Sequence, residues 1–191
     1  MKDDMDVTAV LKTLLHGNQL KRTARTGWVQ RGVPNAENVA AHSYGVVFAT
    51  LVLAQVTPEP VDLAKALTLA ALHDLPEGLT TDIPKPAWRY LPAGVKTAVE
   101  RHAMQDILQD TPYAASFLSF WEELHEKKTA EAQLVDDADK LDMFVQALVY
   151  EEQTGNQHLA EFWQQPYTFY TPIAQAIYDQ LRVHRAEQVI T

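Results

Sequence analysis

Three short stretches hold the residues able to do chemistry. His42 stands one turn into the apolar stretch 39–54, and His73-Asp74 ends a second, 61–72. An ionisable group inside an apolar element is costly unless it is paired, hydrogen-bonded or bound to a metal. Taken singly, each has a plain reading. A lone histidine in a core helix is more often hydrogen-bonded than a ligand. An aspartate after a helix can satisfy backbone donors, and the dipeptide alone is a weak motif. The third stretch is Asp136-Asp137-Ala138-Asp139-Lys140-Leu141-Asp142. Its apolar neighbours Leu134, Ala138, Leu141, Val145 and Leu148 step by four and three, so one helical face packs inward. Asp136 and Asp137 read as a solvated acidic flank. Asp139 and Asp142 share one edge of the buried stripe, and periodicity does not choose between them. The chain has no cysteine, so disulfides, thiolate ligands and cysteine nucleophiles are excluded and a metal site must use His, Asp, Glu and water.

The elements that must position these residues read as helices throughout. Periodicity and punctuation place them at about 5–22, 38–55, 61–73, 93–109, 112–125, 128–154 and 171–187. Asn38 is a natural cap for the second, and Thr57-Pro58-Glu59-Pro60 ends it. Residues 23–37 and 77–92, rich in Gly and Pro, read as loops. Alternating β-type segments are missing, so the class is all-α. Stretches 39–54 and 61–72 lack a polar face, which makes them the central pair. The last helix, with Ile173, Ile177, Leu181 and Tyr178, can close the core or meet a second chain.

Composition narrows the partners. With 191 residues and a formal net charge of -9, the chain fits one domain over 1–191, with a core at about 14–152. It is a poor match for a long nucleic acid, whose binding draws on clustered Lys and Arg. A small phosphorylated ligand remains open, because one or two arginines suffice for a monoester. The beginning, MKDDMDVTAV, has three Asp in its first six residues and no apolar core of a secretory signal. The longest apolar run, 46–54, is broken by Thr50 and is short for a bilayer. The expectation is a soluble cytoplasmic protein with no membrane partner.

Four features occur in one order: Glu37-Asn38-Val39-Ala40-Ala41-His42-Ser43, His73-Asp74-Leu75-Pro76-Glu77, Thr81-Asp82-Ile83-Pro84 and Asp137-Ala138-Asp139-Lys140-Leu141-Asp142. This set resembles the HD-domain superfamily of metal-dependent phosphohydrolases. Within it, the set resembles the 5'-deoxynucleotidase branch, the HD domain-containing protein 2-like group. Arg25-Thr26-Gly27-Trp28-Val29, Trp121-Glu122-Glu123 and Thr129-Ala130-Glu131-Ala132 extend the match, which covers most of the chain.

The resemblance implies an HD-domain helical bundle with a metal between its central helices. The ligands it implies are His42, His73, Asp74 and Asp139. That mixed nitrogen and oxygen set suits Mn²⁺, Fe²⁺, Co²⁺, Ni²⁺ or Zn²⁺. Glu77 would be the acid–base group; its plain reading is a loop carboxylate. Asp82 would lie near the sugar and the catalytic water, or serve as a turn residue. Arg25 would grip phosphate and Trp28 would wall the sugar or base pocket, or else pack in the core. One departure stands out. Some relatives place a phosphate-binding Arg directly before this Trp, where this chain has Gly27, so Arg25, Arg31 or Lys21 must substitute, or the contact is made otherwise. The implied activity is hydrolysis of (deoxy)nucleoside 5'-monophosphates to nucleoside and phosphate by a homodimer. The rivals are another HD-type phosphohydrolase and a non-catalytic nucleotide-binding module. The other histidines, and Trp121, Trp163, Phe162, Phe169 and Tyr170, read as surface or packing residues.

Overall fold

A computed structural model describes residues 6–189. Within them the chain is helical, with an isolated backbone bridge between Ala24 and Asn38 and no strand. Helices α1 (Val7–Gln19), α2 (Thr26–Val29), α3 (Val39–Val56) and α4 (Leu63–Leu72) are followed by the single turns α5 (Glu77–Thr80) and α6 (Lys85–Trp88). Then come α7 (Val95–Leu108), α8 (Ala114–Glu126), α9 (Ala130–Thr154) and α10 (Pro172–Val189). The expected start of the first helix at Met5 lies outside the described residues. The Gly- and Pro-rich stretches are not plain loops, because α2, α5 and α6 sit inside them.

Local chemistry sets the helix starts. Asn38 accepts from the Ala41 amide, Asp62 from Lys65 and Thr129 from Ala132, so each side chain meets a donor the first turn leaves free. Helix α9 ends at Gly155, whose φ of 64° suits a residue without Cβ.

Helices α3, α4 and α9 pack together at the centre. Val46, Leu53, Ala66, Leu69, Ala70, Leu134, Ala138, Leu141 and Phe144 form their shared core. Each fully buried Leu, Phe or Val there contributes about 1.5–3 kcal/mol from burial. A second cluster, with Val39, Leu72, Met104, Ile107 and Trp121, ties α7 and α8 to the same centre. Helix α10 closes the core: Ala174 and Tyr178 are buried, and the Tyr178 ring lies 4.6 Å from Phe144.

Two expectations are corrected. Helix α3 is central, but not enclosed. Val39–Val56 has mean hydropathy 1.6 and is long enough to cross a membrane by length and composition, yet only 28% of it is buried. It packs on α4 and α9 through one face and carries buried His42, the arrangement of a core helix with one open side. The acidic flank is the second correction. Asp137 is 1% exposed and accepts from the Tyr170 and Thr171 amides and the Thr171 hydroxyl, fixing the start of α10. Asp136 is buried too, 2.7 Å from Lys127 Nζ. Long-range partners explain both, and local periodicity does not show them.

Candidate metal centre

Three helices bring His42, His73 and Asp139 together, with Asp74 beside the two histidines. The first turn of α3 delivers His42, the C-terminal cap of α4 delivers His73 with Asp74 beside it, and the inward edge of α9 delivers Asp139. His42 Nε2 lies 3.2 Å from Asp139 Oδ1 and 3.6 Å from Asp74 Oδ2. His73 Nε2 lies 3.2 Å from Asp74 Oδ2 and 3.4 Å from His42 Nε2. Atoms that share one ion at ~2.0–2.2 Å stand roughly 3–3.5 Å apart, which is the spacing of these pairs. The structure thus brings His42, His73 and Asp139 within 4.8 Å of one another and sets the fourth expected ligand, Asp74, against both imidazoles.

The far side of each ring decides which nitrogen faces in. His73 Nδ1 donates to the Ala70 carbonyl at 2.7 Å, and His42 Nδ1 meets Asp142 Oδ2 at 2.7 Å. Both Nε2 atoms therefore point to the centre, with their tautomer set from behind. This separates the two aspartates that periodicity left equal. Asp139 faces the cluster, whereas Asp142 stands behind His42. Gly45 makes that possible, since a Cβ at this position would lie 2.0 Å from Asp142 Oδ1.

Electrostatics favour a cation here. Burial and Arg25 pull the His42 imidazole down, but hydrogen bonds to Asp139 and Asp142 outweigh them and hold it up at about 9. Burial opposes ionisation of Asp74, yet His73, His42 and Arg25 keep it well below the usual carboxylate range. Burial likewise opposes ionisation of Asp139, and Lys140, 2.5 Å away, together with His42 overcomes it. The acids thus draw the available proton onto His42, at the place where a divalent ion would compete with it. The donor set fits a divalent metal.

Glu77 opens α5 beside this cluster and is 5% exposed. Among the described residues its Oε2 finds no hydrogen-bond partner. Burial, then the charges of Asp74 and Asp82, push its carboxyl up to about 9. At neutral pH it carries a proton it can give. Arg25 caps α2, and its Nη1 lies 3.5 Å from Asp74 Oδ2.

Asp82 serves the chain first. Its Oδ2 accepts from the Thr26 amide at 2.8 Å and the Thr26 hydroxyl at 3.0 Å, pinning its loop to the start of α2 next to Arg25. The preceding residue, Thr81, has φ 60° and ψ 165°, a region glycine favours.

Trp28 is a correction. It is 2% exposed, its indole N–H donates to Glu37 at 2.9 Å, and its ring packs on Tyr150 and Phe162. It is a core aromatic behind the site and offers a ligand no open wall. Arg31 is also withdrawn from the site: it donates to the Gly27 carbonyl and to Glu161.

A cleft of about 400 Å³ opens on the cluster. His73, Asp74 and Asp139 share its lining with Trp88, Lys96 and Lys140 among others. Sequence reasoning did not single out Gly45, Lys96 or Lys140. For Lys140 the adjacency to Asp139 was a usable signal, whereas Gly45 and Lys96 gave none that could be read locally.

Known proteins resemble this chain over most of its length. The HD domain model matches residues 17–181. The zebrafish protein 5'-deoxynucleotidase HDDC2 is 34% identical over 153 residues, 76% of this chain and 72% of that protein. The human 5'-deoxynucleotidase HDDC2 is 33% identical over 146 residues, 75% of this chain and 69% of that protein. A solved structure, a conserved hypothetical protein from Pyrococcus furiosus, superposes with TM-score 0.71 at 41% identity, covering 80% of this chain and 85% of that one. With the family match running from α1 to α10 and enclosing every residue of the cluster, the chain belongs to the HD domain family of helical, metal-dependent phosphohydrolases.

Proposed function

We propose that the chain hydrolyses nucleoside 5'-monophosphates, deoxyribonucleotides foremost, to nucleoside and phosphate. One observation carries the reading: two carboxylates lie 3.2–3.6 Å from two imidazoles that are 3.4 Å apart, beside a buried carboxyl with an oxygen unpartnered among the described residues. The curated relatives named 5'-deoxynucleotidases supply the substrate class.

His42, His73, Asp74 and Asp139 would hold the divalent ion. When bound, such an ion polarises a phosphoryl oxygen and makes water a better nucleophile near neutral pH. The protein does the rest. Asp142 and the Ala70 carbonyl hold the two rings in register. Water attacks phosphorus, the bond to the 5'-oxygen breaks, and Glu77 gives that oxygen its proton. Arg25 lies next to the cluster to offset charge on the equatorial oxygens. Asp82 keeps Arg25 in place through Thr26.

The metal belongs to the series Mn²⁺, Fe²⁺, Co²⁺, Ni²⁺, Zn²⁺, which the mixed donor set suits. We read the working form as a homodimer. In support, α3 exposes Tyr44, Phe48, Leu51, Val52 and Val56 along one side, an apolar stripe costly to leave in water.

The test is phosphate release from paired deoxy- and ribonucleoside 5'-monophosphates, with each metal added in turn to stripped protein. Metal-dependent turnover of deoxynucleotides is expected. Turnover confined to cyclic or polyphosphorylated nucleotides would replace this reading with another HD-type hydrolase. Absence of turnover with every metal would leave a binding module.

A further inference from the structure

A phosphate monoester brings two negative charges into a site that already holds several carboxylates. Something besides the metal must answer that charge. The position before Trp28 is Gly27, Arg31 is engaged elsewhere, and Lys21 is exposed on the turn Leu20–Arg22.

The cleft has three lysines of its own, and they differ. Lys140 is held by Asp139 at 2.5 Å, and Lys127 by Asp136 at 2.7 Å. Lys96 is built differently. It rises from the first turn of α7, a quarter exposed, and pairs one turn on with Glu100, which is buried. Its Nζ also lies 5.1 Å from the centre of the Trp88 ring. An ammonium has three N–H donors. Glu100 takes one and the indole face another, which leaves donor capacity toward the cleft that Lys96 shares with His73, Asp74 and Asp139.

Resting on the phosphohydrolase reading, we propose that Lys96 joins Arg25 in binding the substrate phosphate, with Glu100 and Trp88 holding its ammonium in place. Its field reaches the reacting groups, since Lys96 is among the charges that draw the Glu77 carboxyl downward. Its partner Glu100 is no member of the ligand set, whereas Lys140 is tied to the ligand Asp139 and Lys127 ties α8 to α9 through Asp136. The arrangement gives the chain a phosphate cation in place of the arginine it lacks before Trp28.

The experiment measures binding of inorganic phosphate to the full chain loaded with Mn²⁺, by calorimetry and as competitive inhibition. Lys96→Met should weaken phosphate binding about tenfold or more, as losing one charge-assisted hydrogen bond does. KM for a deoxynucleoside monophosphate should rise in parallel, with Mn²⁺ affinity unchanged. Lys96→Arg should restore most of the binding. Should Lys96→Met fail to fold because Glu100 is left buried and alone, the pair Lys96→Met with Glu100→Gln removes both charges and carries the same expectation. Wild-type phosphate affinity in either folded variant overturns the assignment. A wild type that binds phosphate through Lys96 yet turns over no nucleotide would sink the proposed function and leave Lys96 standing.

Discussion

His42 Nδ1 lies 2.7 Å from Asp142 Oδ2, between residues 100 positions apart, and the contact exists because position 45 is a glycine. A methyl group there would overlap the carboxylate, so Asp142 would swing away and release the ring. Gly45→Ala and Asp142→Ala should therefore fail in the same way. We expect each to weaken Mn²⁺ affinity by about 10–100-fold, the usual loss when a ligand's supporting partner is removed. Competition against a coloured chelator measures it. Wild-type affinity in Gly45→Ala would mean that Asp142 does not orient His42.

Glu77 gives a pH signature in the metal-free protein. Folding raises its carboxyl from an ordinary 4.5 to about 9. The neutral form is the one the fold favours, so its contribution is complete below pH 4.5 and is lost as pH rises toward 9. Urea unfolding of stripped wild type should show stability falling across that window more steeply than in Glu77→Gln, which cannot ionise. Equal slopes would remove the buried, protonated carboxyl. In the metal-loaded form, Glu77→Gln should lower kcat by about 10²–10⁴-fold, the range for a lost general acid, while metal content stays the same.

Thr81 holds a backbone conformation that a side chain resists, at a cost of about 1–3 kcal/mol, and it does so immediately before Asp82. Thr81→Gly should raise stability by ~1 kcal/mol once the added freedom of glycine is subtracted. It should also loosen the link from Asp82 to Thr26 and reduce kcat/KM. Chemical denaturation and steady-state kinetics on one preparation would show the two moving in opposite directions. A variant less stable than wild type would show that the turn is not strained.

Asp137 makes the contrasting case. It fixes the start of α10 through two amides and a hydroxyl, far from the reacting groups in role although close in sequence. Asp137→Ala should cost about 1–2 kcal/mol, the upper range for a lost helix cap, and leave kcat of the folded fraction unchanged. A large fall in kcat with intact stability would place Asp137 in the site after all.

What could be read from the chain follows the range of the forces involved. Helix class, the cap at Asn38 and the apolar pair 39–54 and 61–72 depend on neighbours a few residues away, and they stood in plain view. The four convergent donors became legible only as an ordered set, because no single one departs from ordinary packing. Asp136, Asp137 and Trp28 were misplaced for one shared reason: their partners Lys127, Thr171 and Glu37 are chosen by the folded surface. Lys96 offered no local signal, and it is the cleft it lines with His73, Asp74 and Asp139 that brings it forward.

The convergence of donors from α3, α4 and α9 has a last consequence. Without a cation, the charge of Asp74 and Asp139 is answered by the proton on His42 and by Arg25 and Lys140; a bound divalent ion would take that proton's place and tie the same helices together. Occupancy then adds to the lifetime of the fold, by about 2.7 kcal/mol once free ion exceeds its dissociation constant a hundredfold. Stripping the ion should therefore lower the unfolding midpoint as well as switch the protein off.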